Sequence, residues 1–283
     1  MSRSETAARY AVIGNPVAHS LSPRIHALFA ESLGQHIDYV KRPAPLDDFA
    51  GELQRFHSDG GVGANITVPF KQQAFALARQ ASVRAQQAGA ANFLMWRDDH
   101  WFCDNTDGAG LLRDIEMNLR QPFAGKSVLL LGAGGAARGV IGPLLLRQPS
   151  RVVVVNRTTA RAVELVAPYP QSHPIQAQTI EALTASATRF DIVINATSAS
   201  LGEALPLPTH AEIFSGASLA YDMMYGKVPT AFMQWAVAQG AARVSDGLGM
   251  LVEQAAESYV QWRGLLPKAA PIIALLRAEL AAG

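Results

Sequence analysis

The segment from Ser127 to Arg138 constrains the fold of this chain more than any other. It begins with an apolar run that can be buried on both faces as a central parallel strand. Glycines follow directly, and their backbone can turn sharply and lie close to a ligand. Amide groups at the start of the next helix would then face an anion, with the helix dipole behind them. The segment therefore predicts a pyrophosphate site for a dinucleotide, formed by Gly132, Ala133, Gly134, Gly135 and Ala136.

The flanking sequence indicates a βαβ unit around this turn. Gly132, Gly134 and Ala137 fit the pattern G-x-G-x-x-G/A. A helical apolar stripe follows, and Arg151 to Val155 has the composition of the next strand. A purely structural glycine turn is the alternative, since a tight turn from strand to helix favours glycine in any protein. The βαβ context favours nucleotide binding, in a doubly wound parallel sheet of the Rossmann type.

The residues after the second strand of this unit indicate which dinucleotide would bind. An NAD site usually has an acidic residue there, whereas this chain has Asn156, Arg157 and Thr158, followed by Arg161. Two guanidinium groups with an amide and a hydroxyl can hold a 2′-phosphate. A solvated basic helix start is the alternative, but cations there oppose the helix dipole. NADP is therefore the predicted cofactor, and Thr197, which follows another buried strand, is a further predicted contact.

Composition limits the possible functions. The chain has 283 residues, of which 49% are hydrophobic and 17% charged, so it can form two domains with large cores. A net charge of +1 without a basic cluster argues against a nucleic-acid partner. A single cysteine, Cys103, excludes an internal disulfide and a cysteine-rich metal site, so no metal is expected. Without a signal peptide or a membrane-spanning run, we expect a soluble cytoplasmic protein.

Two charged residues in the first half lie at predicted junctions between a strand and a helix. Lys71 follows a strand that ends at Pro69, and Asp107 begins a helix after a hairpin. Such junctions gather at the carboxyl edge of an open α/β sheet, where ligands bind. The two side chains would there form a pair able to manage a proton. The alternatives are an ordinary exposed lysine and a helix-capping role for Thr106 or Asp107.

The helix near the N-terminus carries its own signals. Ser22 stands directly before Pro23, which predicts that Ser22 caps this helix. Ser20 has no such structural duty. His19 has no paired ligand nearby in sequence, so a surface or hydrogen-bonded histidine is favoured over a metal ligand.

Seven short motifs run in order through nearly the whole chain. They are Gly14-Asn15-Pro16 with Ala18 to Pro23, Asn65 to Lys71, Asp104 to Gly108, Gly132 to Gly135, Asn156 to Thr158, Asn195 to Ser198, and Asp246 to Met250. Together they resemble the shikimate dehydrogenase family. One motif could arise by coincidence, but a series of seven identifies the chain as a candidate member.

The resemblance implies reversible, NADPH-dependent reduction of 3-dehydroshikimate to shikimate, a step toward aromatic amino acids. Lys71 and Asp107 would be the catalytic pair, with Lys71 handling the proton at the reacting oxygen. Gly247 would be a further cofactor contact. The family pattern also implies short polar side chains that hold the carboxylate and hydroxyls of the substrate, which are Ser20, Ser22, Thr67, Asn92, Tyr221 and Gln254.

The family fold also implies two domains. An α/β substrate-binding domain would comprise residues 1–107 and 249–283, and an NADP-binding Rossmann domain residues 108–248, with the active site in the cleft between them. Phe93 follows Asn92 where the family commonly has a small polar residue, which leaves open a relative that acts on quinate or aminoshikimate with NAD or NADP. A non-catalytic NADP-binding sensor is a further alternative. The expected partner is a small molecule only, and the expected state a monomer or homodimer.

Overall fold

The computed structural model describes residues 8–186, 188–197 and 212–282 and contains two six-stranded sheets. In the first sheet the strands lie in the order β2-β1-β3-β5-β6-β4. β1 pairs in parallel with β2 and β3, whereas β3–β5 and the hairpin β5–β6 are antiparallel. The strands are β1 (Arg9–Gly14), β2 (Asp38–Pro43), β3 (Gly61–Ile66), β4 (Gln80–Ala81), β5 (Phe93–Arg97) and β6 (His100–Asp104).

Helices follow several strands of this first sheet and place their first residues at its carboxyl edge. In particular, β3 is followed after a short turn by α3, which begins at Lys71. Ser82 accepts a hydrogen bond from the Ala85 amide and caps α4. The helices are α1 (Ser22–Ser32), α2 (Phe49–Ser58), α3 (Lys71–Leu77) and α4 (Val83–Ala88).

The second sheet confirms the predicted Rossmann architecture. Its strands lie in the order β12-β11-β10-β7-β8-β9, and every pair is parallel. After α5 (Asp107–Arg113) and a π-helical turn (Asp114–Asn118), the elements are β7 (Ser127–Leu131), α6 (Gly135–Leu145), β8 (Arg151–Val155), α7 (Thr159–Val166), β9 (Ile175–Gln178), α8 (Ile180–Ala185), β10 (Phe190–Asn195), β11 (Phe214–Asp222), α9 (Ala231–Ala238) and β12 (Arg243–Ser245).

The apolar run in β7 packs on both faces of this sheet, as a central parallel strand requires. Val128 and Leu130 belong to a hydrophobic cluster that includes residues of α5 and α6. Leu129 and Leu131 belong to a second cluster, with residues of α8 and α9. All four side chains are fully buried. The strand therefore fixes the glycine-rich turn that follows it against a rigid two-sided core.

The last two helices pack against the first part of the chain. They are α10 (Leu248–Arg263) and α11 (Ala269–Ala282), and they form a hydrophobic cluster with α1 that includes Phe29, Tyr259 and Leu276. α10 also packs along α5, which connects the two sheets in sequence. Within the described ranges, no helix is long and apolar enough to span a membrane.

Candidate active site

A cavity of about 920 Å³ lies between the two sheets, at the ends where strands give way to helices. Its size is that of a site for small ligands or cofactors. All of the predicted site residues line this cavity except Tyr221. They are Lys71, Asp107, Ser20, Ser22, Thr67, Asn92, Gln254, Gly132, Ala133, Gly134, Gly135, Ala136, Asn156, Arg157, Thr158, Arg161, Thr197 and Gly247.

Lys71 and Asp107 meet at the cavity wall. Each is the first residue of its helix, α3 or α5, and Lys71 Nζ donates to Asp107 Oδ2 over 2.5 Å. The Asp107 side chain is 8% exposed and the Lys71 side chain 21%. The lysine therefore keeps access to the cavity while its carboxylate partner is almost enclosed. This geometry suits a residue that exchanges a proton with a bound ligand.

Asn92 holds Asp107 from the other side. Its Nδ2 donates to Asp107 Oδ1 over 2.8 Å and to Gln254 Oε1 over 3.2 Å. Its Oδ1 accepts from the backbone amide of Thr106 over 2.7 Å, which fixes the orientation of the carboxamide. The Thr106 hydroxyl also lies in this network and caps no helix, so the capping alternative for Thr106 was wrong. Asn92, Thr106 and Gln254 thus form a buried polar network, through which Asn92 holds the carboxylate of the pair.

Ser20 and Ser22 place two hydroxyls together at the cavity wall. Ser20 Oγ donates to Ser22 Oγ over 3.1 Å, and it accepts from the Ser22 amide over 3.2 Å. Ser22 is itself the first residue of α1 and does not cap it, because Leu21 occupies the cap position. The prediction that Ser22 caps the helix was therefore wrong. His19 is exposed and lines the same part of the cavity.

The glycine-rich turn fits a pyrophosphate. Gly132 has φ +106°, and a Cβ there would lie 2.9 Å from Thr197 Cγ2, so the turn requires glycine. A Cβ at Gly134 or Gly135 would meet no protein atom within 4 Å, so packing does not explain those two glycines. Among the described residues no side chain caps α6, and its first amides stay available for an anion.

The residues after β8 form the far end of the cavity. Asn156 Nδ2 donates to the Thr158 carbonyl over 2.9 Å, which shapes the turn into α7. Arg157 and Arg161 line the cavity beside this turn. Cationic side chains at this place fit the 2′-phosphate of NADP. Ser198, the last residue of the motif that contains Thr197, lies outside the described residues, among which no group of histidine, cysteine, aspartate and glutamate is arranged to hold a metal.

Tyr221 is the one predicted site residue that the structure places elsewhere. It lies inside β11, fully buried, and its hydroxyl donates to Asp114 Oδ2 over 2.6 Å. Burial and the nearby Asp114 charge raise the pKa of this hydroxyl well above its ordinary value, so it stays a donor. Its assignment as a substrate-binding residue was wrong. Tyr225 lines the cavity instead, and its position beyond the carboxyl end of the strand was the missed signal.

Asn65 is a second residue that the sequence reasoning did not assign. It lines the cavity at the end of β3 and is 5% exposed. Its Oδ1 accepts from the Tyr39 hydroxyl over 2.8 Å, and its Nδ2 donates to Ser258 Oγ over 2.9 Å. The signal was again a polar residue at the end of a buried strand. Asn65 therefore links the first sheet to α10 at the cavity wall.

Known proteins resemble this chain over most of its length. Three family models match: the shikimate dehydrogenase substrate binding domain over residues 12–94, shikimate/quinate 5-dehydrogenase over 115–202, and the shikimate 5′-dehydrogenase C-terminal domain over 247–277. A shikimate dehydrogenase (NADP(+)) of Nitrosospira multiformis is 53% identical, across 96% of this chain and 98% of its own length.

Solved structures show the same likeness. The Ael1 enzyme from Pseudomonas putida has a TM-score of 0.89 at 47% identity, covering 95% of this chain and 98% of that one. Shikimate 5-dehydrogenase from Thermus thermophilus, in complex with NADP(H) and shikimate, has a TM-score of 0.83 at 34% identity, covering 96% and 99%. The likeness thus extends over both sheets and the returning helices.

Proposed function

The chain belongs to the shikimate dehydrogenase family and is an NADP-dependent oxidoreductase, and from this premise we propose that it interconverts 3-dehydroshikimate and shikimate. The observation that carries the proposal is the Lys71–Asp107 pair, facing a cavity that also holds the glycine-rich turn and both arginines. Lined in this way, the cavity can bring a small polyhydroxylated acid and a phosphorylated dinucleotide together.

Lys71 performs the proton transfer. A bound NADPH would supply a hydride to the carbonyl carbon of 3-dehydroshikimate, and the carbonyl oxygen would then need a proton. Lys71 Nζ donates this proton in the reduction and accepts it in the oxidation. Asp107 directs the Lys71 ammonium group into the cavity through their hydrogen bond. Asn92 keeps Asp107 in place by occupying its second oxygen.

Short polar side chains hold the substrate. The hydroxyls of Ser20 and Ser22 are adjacent, and such a pair of donors suits the ring carboxylate. The ring hydroxyls are served by Thr67 just after β3, Asn92 just before β5, and Gln254 on α10. Tyr225 takes the place that the sequence assigned to Tyr221.

The cofactor is held at two points. The turn from Gly132 to Ala136 and the first amides of α6 would hold its pyrophosphate. Arg157 and Arg161 would hold its 2′-phosphate, with Asn156 and Thr158 beside them. Thr197 and Gly247, just beyond the ends of β10 and β12, would be further contacts of the cofactor. Closure of the cleft around both ligands would exclude water from the reaction.

The decisive experiment is NADPH oxidation dependent on 3-dehydroshikimate, together with the reverse reaction on shikimate and quinate, each with NADP and NAD. We expect turnover of the shikimate pair with NADP, and a loss of about 10²- to 10⁴-fold in kcat for Lys71→Met with NADPH binding retained. The matched control is Lys268→Met, an exposed lysine outside the cavity. Near-normal turnover in Lys71→Met would disprove the proton-transfer role.

The same measurements test the alternatives. Preference for quinate or an amino-substituted ring would indicate a sister dehydrogenase, and NADPH binding without any turnover would indicate a sensor. The domain division at residues 107/108 and 248/249 is part of the proposal, supported by the two separate sheets. The cytoplasmic location and the monomeric or homodimeric state stay predictions, which cell fractionation and light scattering would test.

A further inference from the structure

Asp114 lies where three cavity-lining segments come together. It follows α5 directly, opens the π-helical turn and is 3% exposed. One carboxylate oxygen accepts from the Tyr221 hydroxyl over 2.6 Å, and the other accepts from Asn118 Nδ2 over 3.0 Å. The backbone amide of Met250 also donates to it. Asp114 thus bonds to β11 and to the first turn of α10 at once.

α5 presents one continuous stripe to α10. Asp107, Gly110 and Asp114 are spaced at i, i+3 and i+7, so they lie on the same face of the helix. A Cβ at Gly110 would lie 2.7 Å from the Met250 carbonyl, and one at Gly249 would overlap the Asp114 carboxylate. The backbones therefore approach too closely for any side chain to intervene. Asp107 and the start of α10 are set relative to each other by this stripe.

The turn after β11 is bonded to the same unit. Tyr221 is followed two to four residues later by Met223, Met224 and Tyr225, which all line the cavity. The Gly247 amide donates to the Met224 carbonyl over 3.0 Å, and a Cβ at Gly247 would overlap the Met223 carbonyl. Moving the end of β11 would therefore move both this turn and the segment that leads into α10.

We propose that Asp114 is a positioning residue for the reaction, acting with Tyr221. Its carboxylate joins the end of β11 and the start of α10 to the helix that begins with Asp107. It thereby fixes the cavity wall formed by residues 223–225 relative to the Lys71–Asp107 pair. The inference rests on the proposed function, because a positioning role has meaning only where those walls hold a reacting substrate and cofactor.

The test compares kcat, KM and NADPH binding in Tyr221→Phe, Asp114→Asn and the double variant. Each single variant keeps the shape of the side chain and weakens the same hydrogen bond, between Tyr221 and Asp114. We expect kcat to fall about 10-fold in each, because small misplacements of reacting groups are costly. NADPH affinity, measured by its fluorescence, should change less than about twofold, because the phosphate-binding residues are untouched. The double variant should be no slower than the slower single variant, because the two changes remove one interaction.

The matched control is Tyr259→Phe. Tyr259 is equally buried, and its hydroxyl donates to Gln35 Oε1 over 2.7 Å, away from the cavity. Equal kcat in Tyr221→Phe and Tyr259→Phe would overturn the proposal, as would multiplying effects in the double variant or a loss confined to NADPH affinity. Rates are expressed per NADPH-binding site, so partial unfolding does not mimic the effect.

A second measurement does not depend on turnover. Hydrogen exchange at residues 222–251 of the ligand-free protein should be faster in Tyr221→Phe than in wild type, and unchanged in Tyr259→Phe. Unchanged exchange in Tyr221→Phe would also overturn the proposal. If the wild-type protein failed to turn over shikimate, the proposed function would fail, while this comparison would still show whether Asp114 and Tyr221 hold the wall.

Discussion

His26 makes the stability of the protein depend on pH in a predictable way. It lies in α1, is 0% exposed, and stacks on Tyr39 with ring centroids 4.3 Å apart. Its Nε2 lies 3.2 Å from Asn65 Oδ1, which can only accept, so Nε2 carries the ring proton. Nδ1 is buried and has no partner among the described residues. Burial lowers the pKa of His26 from 6.5 to about 3, against the opposing effect of the Asn65 hydrogen bond.

The direction in which stability changes with pH follows from which state, folded or unfolded, binds the proton. Below pH 6.5 the unfolded chain protonates His26, whereas the folded protein does so only near pH 3, so the free energy of unfolding decreases as pH falls through this window. Between pH 7 and pH 5 the expected loss from this one group is about 2 kcal/mol. It would grow by roughly 1.4 kcal/mol for each further pH unit down to the folded-state pKa.

The assay is urea unfolding at pH 7 and pH 5 for wild type, His26→Phe and the exposed control His36→Gln. Wild type and the control should lose about 2 kcal/mol more than His26→Phe over this interval. Asp114 and Glu253, whose pKa values are raised mainly by burial, contribute in the opposite direction, but equally in all three proteins. Identical losses in wild type and His26→Phe would contradict this prediction, since they would show that the folded protein accommodates the charged ring.

Three further predictions concern the cofactor-binding residues at and after the glycine-rich turn and the Arg84–Asp104 ion pair. Arg157→Ala should raise KM for NADP about 10-fold or more and leave KM for NAD nearly unchanged in steady-state assays, because a charge-assisted hydrogen bond to the 2′-phosphate is worth about 1.5–3 kcal/mol. Gly134→Ala should weaken NADPH binding without changing Tm, whereas Gly132→Ala should cost about 1–3 kcal/mol of stability because its φ is +106°; equal Tm values would contradict this contrast. Arg84→Met should lower stability by about 3 kcal/mol at pH 7 in thermal unfolding, since it leaves the Asp104 carboxylate buried without its 2.6 Å partner. Burial alone would raise the pKa of Asp104, but Arg84 outweighs this effect and holds the pKa below its ordinary value of 3.8. The stability contributed by this pair should therefore be lost only as the pH falls below that value.

Local sequence signals predicted those parts of the fold that short-range physics decides. The apolar run before Gly132 is buried on both faces, as predicted, because a central parallel strand has no solvent side. Lys71 and Asp107 are far apart in sequence, but each follows the end of a strand, and the topology of the sheet alone brings such ends together. The residues of the glycine-rich turn and those after β8 were identified for the same reason, although their roles stay proposals.

A local sequence pattern does not determine a residue's exact place relative to a strand or helix end, and two predicted roles were wrong for this reason. Tyr221 and Tyr225 stand in the same motif, but Tyr221 lies inside β11 and points to Asp114, while Tyr225 lies beyond the strand and reaches the cavity. A difference of a few residues in the assigned end of a strand reverses this assignment, and such ends are the least certain feature of a pattern. Ser22 failed similarly, because α1 begins one residue earlier than a serine cap would allow.

α5 explains how a protein of two sheets can hold the Lys71–Asp107 pair at a fixed place between them. A Cβ at Gly108 would lie 2.5 Å from Pro143 Cγ and 2.7 Å from the Gly139 carbonyl, so this face of α5 is seated directly on α6, the helix that follows the glycine-rich turn. Gly110, on another face, is seated on α10 in the same way. Asp107 is the first residue of this helix. Its position is therefore fixed relative both to α6, which follows the glycine-rich turn, and to α10, which carries Gln254. Two glycines two residues apart, which sequence patterns treat as weak points in a helix, are here what allows one carboxylate to serve both halves of the site.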